Sequence, residues 1–310
     1  MGTDKSRREV IQAGLMACLG ARLALAADAS ERTVNATLIT KGIPSSGEPI
    51  PVIGLGSDAF RRDEQEAIRA EIERMHALGG TLIDTAAAYG DSEQIIGDAL
   101  AATGLRKSMF IATKLTAGGM FGETGGEGSF QRSLERLKTD HVDLLQVHNL
   151  NGVDKLMPLL QEWKRSRKIR YIGVTTSRVG QHADLAEVMR KYPLDFIQVD
   201  YSIANRDAAN SILPLALERH MAVLVNLPLA RAQLFGQAGQ RPLPEWAAGI
   251  GVSSWSQYFL KYVISHPAVT CAIPGSTKVA HIEDNQQAAR GALPDAAMRL
   301  RMEQYWDART

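Results

Sequence analysis

Residues 81–100, TLIDTAAAYGDSEQIIGDAL, decide the fold. TLIDTA is a short strand-like run, rich in β-branched and apolar residues, that carries a carboxylate, Asp84, towards its end. A Gly-containing turn with Tyr89 follows, and then one of the helical segments that separate strand from strand along the whole chain. MFIATKL at 109–115 repeats the pattern with Lys114 near its end, and HVDLLQVHN at 141–149 repeats it with His148. Strands alternating with helices at this spacing form parallel βαβ units. Polar residues at the carboxyl ends of successive parallel strands converge on one mouth of a barrel, so Asp84, Tyr89, Lys114 and His148 are expected in one site.

Working outward, PVIGLGS at 51–57 is the first strand, and its helix spans residues 63–78 with Ile68, Ile72, Met75 and Leu78 on one face. After the second to fourth strands just quoted come IRYIGVTTS, FIQVDYS, MAVLVNLPL and TCAIPGS as strands five to eight. Short β-prone pieces broken by Gly and Pro lie between residues 36 and 47, and residues 293–306 read as a short C-terminal helix. The fold class is α/β, a single (β/α)8 TIM barrel over residues 31–310. The chain has 310 residues, 45% hydrophobic and 22% charged, enough for one such unit of about 250 residues.

From about residue 50 to 285 the chain resembles the aldo-keto reductases, whose Asp, Tyr, Lys and His tetrad occurs in this order in DTAxxYG and VH contexts. The resemblance implies an N-terminal hairpin near residues 36–47 that closes the barrel bottom, and reduction of an aldehyde or ketone to an alcohol by a nicotinamide nucleotide. That nucleotide supplies only a hydride, so the protein must supply the proton. An unperturbed tyrosine, with a pKa of about 10, is a sluggish acid at neutral pH. A lysine ammonium beside it should lower that pKa, and an aspartate should hold the lysine in place. Tyr89 is thus the expected acid, Lys114 its tuner, Asp84 the anchor of Lys114, and His148 the donor to the substrate oxygen.

The same resemblance implies a cofactor cradle in the second half. Thr175 and Thr176 stand where the family carries a Ser-Asn pair for the carboxamide, and Gln198 matches a family glutamine with the same task. Asn226 stands where many members stack a tyrosine on the nicotinamide. Tyr201 and Leu229 are expected beside them. IPGSTKVAHIEDN at 273–285 resembles the family's phosphate segment, with Ser276 and Thr277 opening a helix whose free N–H groups take a phosphate. Lys278 adds charge, Gly275 replaces a lysine of some members, and Asp284 and Asn285 match an acidic-Asn pair near the adenine. His281 replaces the arginine that clamps the 2′-phosphate, which leaves NADP(H) ahead of NAD(H) without excluding the latter.

Other classes fit less well. A net charge of +1 offers no footprint for nucleic acid. No apolar run of about 20 residues is present for a membrane span, and no metal-ligand cluster or carboxylate pair marks a hydrolase. A nucleotide-binding sensor on the same fold is the alternative to a reductase, since fold alone does not fix function. The two cysteines, Cys18 and Cys271, make no disulfide framework, and Cys271 reads as a buried strand residue.

Residues 1–30 read as an address. SRREVIQAGLMACLGARLALAADA at 6–29 has paired arginines, Arg7 and Arg8, a modestly apolar stretch and an Ala-Leu-Ala site ending at Ala26. It is similar to twin-arginine leaders, which implies the twin-arginine export machinery as a partner, a periplasmic or otherwise exported enzyme, and no stable membrane insertion after processing. An amphipathic surface helix, or a lipoprotein site at Cys18, is the alternative, and without a working leader the protein stays cytoplasmic. The Gly-rich loop TAGGMFGETGGEGS at 116–129 is either the substrate loop, lined by Met120 and Phe121, or a solvated connection.

Overall fold

The computed structural model describes residues 37–118 and 126–308. A two-stranded antiparallel hairpin, β1 (Thr40–Gly42) and β2 (Pro49–Pro51), precedes eight parallel strands. These are β3 (Leu55–Gly56), β4 (Leu82–Asp84), β5 (Phe110–Leu115), β6 (Val142–Val147), β7 (Ile169–Thr175), β8 (Phe196–Asp200), β9 (Ala222–Asn226) and β10 (Cys271–Ala272). Each pairs only with its neighbours in chain order. Bridges Ile53 to Ala272 and Gly56 to Gly275, with Gly54 N–H on the Ala272 carbonyl at 2.9 Å, join the first strand to the eighth and close the barrel. A Cβ on Gly56 would lie 2.8 Å from the Ile273 carbonyl, so the seam admits only glycine there.

Helices α1 (Gln65–Ala77), α2 (Ser92–Thr103), α3 (Glu127–Leu137), α4 (Val153–Arg165), α5 (His182–Lys191), α6 (Ala208–Glu218), α7 (Gln233–Ala238), α8 (Trp255–Ile264), α9 (Val279–Ala288) and α10 (Ala296–Asp307) follow in order. Side chains alternate along each strand, so one set packs outward on the helices and the other fills the barrel. Leu82, Phe110, Ala112, Leu144, Tyr171, Phe196, Ala222 and Leu224 form the inner apolar cluster, and Ile43 and Ile50 join it from the hairpin and its turn. Gly173 makes room for Phe196: a Cβ there would lie 2.8 Å from the Phe196 carbonyl and 3.1 Å from its Cβ. The hairpin is pinned by Lys41, whose ammonium donates to the carbonyls of Ile264, His266 and Val269 at 2.8, 3.1 and 2.6 Å.

The elements expected from sequence are present with shifted ends. Pro51 belongs to the hairpin, leaving the first barrel strand short, and Pro274 ends the eighth after two residues. Backbone that donates across the seam as isolated bridges, and prolines that cannot donate at all, shorten both strands. Residues 127–129, expected in the Gly-rich loop, are the first turn of α3. Met120, Phe121 and the export leader lie outside the described residues. The C-terminal helix begins at Ala296, where the Asp295 carboxylate accepts from Met298 N–H at 2.8 Å.

Candidate active site

The inner face of the barrel changes character at one level. Two residues beyond Leu82, Ala112, Leu144, Gly173, Phe196 and Leu224 stand Asp84, Lys114, Gln146, Thr175, Gln198 and Asn226. The period of two keeps both sets on the same face. Parallel register places Asp84 beside Ala112 and Lys114 beside Gln146. Lys114 is 1% exposed and its Nζ donates to Asp84 Oδ2 at 2.5 Å and to the Thr85 carbonyl at 2.8 Å. The other carboxylate oxygen accepts from Gln198 Nε2 at 2.8 Å and Gln146 Nε2 at 3.4 Å.

Tyr89, in the turn before α2, lies with its ring centroid 4.8 Å from Lys114 Nζ. His148 meets that ring edge on, with centroids 5.6 Å apart at 81°. Asn149 and Leu150, at φ 52° and 57°, turn the chain sharply away directly after His148. The structure therefore brings together all four residues that the sequence singled out.

Burial opposes the Lys114 ammonium, but the Asp84 carboxylate and Tyr89 override it and raise its pKa. Burial pushes the Asp84 carboxyl upward against the pull of Lys114 and the two glutamines. Burial also raises Tyr89, and Lys114 offsets only part of that. The expectation of a depressed tyrosine pKa is thus corrected, because desolvation of the phenolate exceeds the stabilisation one lysine provides. His148 is lowered to about 4 by burial and by Lys114, so its imidazole is neutral at pH 7.

These groups open into a cavity of about 870 Å³ that runs from Tyr89 and His148 to the first turns of α8 and α9. Thr175, Gln198, Asn226, Leu229, Gly275, Ser276, Thr277, His281, Asp284 and Asn285 line it. Asn226 donates to the Thr176 carbonyl at 3.0 Å, while its buried Oδ1 has no partner.

Three of the expected cradle residues are placed otherwise. Thr176 is not on the wall: its hydroxyl donates to Gln181 Oε1 at 2.7 Å and accepts from Arg178 N–H at 3.1 Å. Lys278 is exposed at the start of α9, off the cavity wall, with its backbone N–H and carbonyl both held by the Ser276 hydroxyl at 3.1 Å. Tyr201 turns away from the cavity, its hydroxyl bonded to Tyr262 at 3.0 Å and Arg299 at 2.6 Å. It lies just past the end of β8, and those partners on α8 and α10 draw its ring into the helix layer.

Other wall residues escaped the sequence reading. Asp58 and Arg231 pair at 2.9 Å from loops after β3 and β9. Ser254 and Ser256 donate to Asp284 Oδ2 and Asn285 Oδ1 at 2.7 and 2.6 Å, tying α8 to α9. The run SSWSQ at 253–257 carried a local signal, because Ser254 caps α8 by accepting from Gln257 N–H at 3.1 Å. The pairing of Asp58 with Arg231, 173 residues apart, carried none.

Comparison with known proteins agrees with this geometry. A profile of the Aldo/keto reductase family matches residues 52–303. Methylglyoxal reductase YeaE of Escherichia coli is 31% identical over 276 residues, covering 84% of this chain and 93% of its own. Aldo-keto reductase yakc [NADP(+)] of Schizosaccharomyces pombe is 26% identical, covering 81% and 87%. A crystal structure of an aldo/keto reductase from Klebsiella pneumoniae in complex with NADP and acetate superposes with a TM-score of 0.71 at 24% identity, covering 84% of this chain and 93% of that one. This chain belongs to the aldo/keto reductase family.

Proposed function

We propose that this aldo/keto reductase reduces a small aldehyde or ketone to its alcohol with NADPH, Tyr89 giving the proton. The observation that supports the reading most is the buried Lys114 ammonium, locked 2.5 Å from Asp84 and 4.8 Å from the Tyr89 ring. Reduced nicotinamide, when bound, supplies the hydride. Tyr89 keeps its proton at neutral pH because burial raises its pKa, and it releases that proton as the substrate oxygen gains charge. Lys114 stabilises the phenolate left behind. His148, neutral at pH 7, offers an N–H to the same oxygen without adding a second charge.

The chain's own groups suit such a cofactor. Asn226 Oδ1, a buried acceptor in want of a donor on the cavity wall, together with Gln198 and Thr175, matches the N–H and C=O of a carboxamide. Ser276 and Thr277 present a phosphate site at the start of α9, with Lys278 within a side chain's reach. The name of yakc and the NADP in the Klebsiella structure support NADP(H) over NAD(H), and the name of YeaE makes methylglyoxal the first substrate to assay.

Tyr89→Phe tests the assignment. It should lower turnover on the order of 10²- to 10⁴-fold, the usual share of general acid catalysis, while NADPH affinity holds. Parental turnover with chemistry rate-limiting would remove Tyr89 from the role, and NADPH binding without turnover of any carbonyl would favour the sensor. The paired Arg7 and Arg8 and the Ala-Leu-Ala site at 24–26 support export by the twin-arginine route. Replacing both arginines with lysine should keep the protein in the cytoplasm, as read by cell fractionation.

A further inference from the structure

We infer that Glu71 is a proton-operated latch on α9: its neutral carboxyl leaves Arg74 to clasp Glu283, and its ionised carboxylate draws Arg74 away and loosens the helix. The inference adds regulation to the nucleotide reading above and rests on that reading for its functional consequence. Glu71, on α1, is 0% exposed, and neither of its carboxylate oxygens has a hydrogen-bond partner. A buried carboxylate in that state is costly to keep charged. Burial, helped by the charge of Glu64 in the turn before α1, pushes its pKa from the ordinary 4.5 up to about 7. The proposed reduction makes no use of this group.

Periodicity along α1 fixes which way the side chain faces. Glu71, Arg74, Met75 and Leu78 form one stripe, and its three later members all meet α9 or its end. Arg74 donates to Glu283 at 2.7 Å, and the Leu78 carbonyl accepts from Arg290, just past α9, at 2.8 Å. A Cβ on Gly80 would touch Met75 Cγ at 2.6 Å and Gln286 Nε2 at 3.0 Å, so those two side chains adjoin. One turn earlier, Glu71 therefore faces the first turns of α9, where Val279, Ile282 and Glu283 share the stripe turned to α1. Only Glu283 among these is charged. The neighbouring charges are engaged or turned elsewhere: His281 lines the nucleotide cavity, Arg69, Glu73 and His76 lie on the opposite flank of α1, and Arg62 pairs with Asp91 at 2.7 Å. The outward strand residues beneath, Leu55 and Ile83, are apolar.

Arg74 thus stands between two carboxylates. It lies three residues from Glu71, a spacing at which helix side chains pair, yet its guanidinium is engaged by Glu283. While Glu71 holds its proton it makes no claim on Arg74, and the clasp ties α9 to α1. Ionisation puts an unpaired charge in a dry site, so Arg74, whose side chain is 44% exposed and able to rotate, turns to it and the clasp opens. The start of α9 carries the N–H groups assigned to the nucleotide phosphate. Loosening it lowers nucleotide affinity as pH rises through the titration of Glu71.

The test compares the full chain with Glu71→Gln, which carries the neutral form at every pH, by urea denaturation, amide exchange of α9 and NADPH titration. A carboxyl pKa raised in the folded state gives stability that is full at low pH and lost as pH rises through it. The variant should therefore match the parent near pH 4.5 and exceed it by a growing margin up to about pH 8. Between about pH 6 and 8.5 the parent should lose α9 protection relative to the variant, and about 2- to 5-fold in NADPH affinity, what one half-exposed ion pair is worth. Glu283→Gln, which removes the clasp, should show the weaker affinity already at the lower pH. A Glu71→Gln chain no more stable than the parent at high pH, or exchange and affinity that change with pH equally in both, would overturn the inference while leaving the cofactor reading standing. A parent that binds no NADPH would remove the cofactor reading, and α9 exchange would still decide the latch.

Discussion

The two levels of the barrel interior are built on the same strands and differ by one step of the pleat. At the lower level Leu82, Phe110, Leu144, Tyr171 and Phe196 pack as an apolar plug, and the one polar atom of Tyr171 is taken up by Glu48 at 2.6 Å and Ser46 at 2.8 Å. Two residues beyond Leu82, Ala112, Leu144 and Phe196, the side chains of Asp84, Lys114, Gln146 and Gln198 are as deeply placed but polar, and Asn226, two beyond Leu224, is half-buried. They satisfy one another incompletely, since Gln146 Oε1 and Asn226 Oδ1 lack partners. The lower level is organised to be stable by itself. The upper level holds a buried charge pair and spare hydrogen-bonding capacity, which is costly for folding and useful for chemistry.

Breaking the upper level at its centre should have the largest effect. Lys114→Met should lower turnover by at least as much as loss of Tyr89, on the order of 10²- to 10⁴-fold, if Tyr89 is the proposed acid and so loses its electrostatic partner. It should also cost about 3–5 kcal/mol at neutral pH, the usual penalty for orphaning a buried charge. Asp84, its pKa already pushed up by burial, should then take up a proton in the folded state. A raised carboxyl pKa gives stability that is present at low pH and lost as pH rises through it. Urea denaturation of the variant should therefore show greater stability at pH 5 than at pH 8, and the reverse would break the comparison.

Phe196→Ala, at the lower level, should cost about 3–5 kcal/mol of stability through the cavity it leaves. Turnover per folded molecule should stay at the parental value. A large fall in turnover with intact folding would show that the two levels are not separable.

Acid should weaken the fold through histidines placed at both ends of the barrel. His148 at the mouth and His266 near the hairpin lysine are each lowered to about 4, chiefly by burial. The unfolded chain binds protons near pH 6.5 that the folded chain refuses, so stability should drop as pH falls from about 6.5 towards 4, by at most ~3 kcal/mol per histidine. His266→Phe should remove its share of that slope, measured by chemical denaturation across the range. An unchanged slope would assign the acid limb elsewhere.

Gln146→Leu is the mildest probe. It removes a 3.4 Å contact to Asp84 and an acceptor without a donor, so the change in stability should be within about 1 kcal/mol. Turnover should fall only a few-fold, because Gln198 still holds Asp84 at 2.8 Å.

How much of this was legible beforehand varies with distance along the chain. Asp84, Lys114 and His148 each stand at the carboxyl end of a β-branched, apolar run, a signal contained in a few adjacent residues, and all three stand at the mouth. Tyr201 also ends such a run, yet its hydroxyl is claimed by Tyr262 and Arg299, residues about 60 and 100 positions away. Thr176 looked equivalent to Thr175, but alternation along β7 sends its hydroxyl to Gln181. The sequence could supply the pleat and the alternation. It could not say which long-range partner would compete for a polar group.

Sequence by itself determined the order of strands and helices, through local periodicity, and the eight-stranded barrel with four residues at its mouth, through the family resemblance that those strand ends carry. Tertiary structure alone decided that Tyr89 is raised in pKa and that His148 is neutral, since both depend on how much water the assembled barrel excludes. It alone joined Asp58 to Arg231 and Asp284 to Ser254, and it alone left the Phe235 ring uncovered on the cavity wall. Burial and long-range proximity are properties of the closed chain, and no window of adjacent residues contains them.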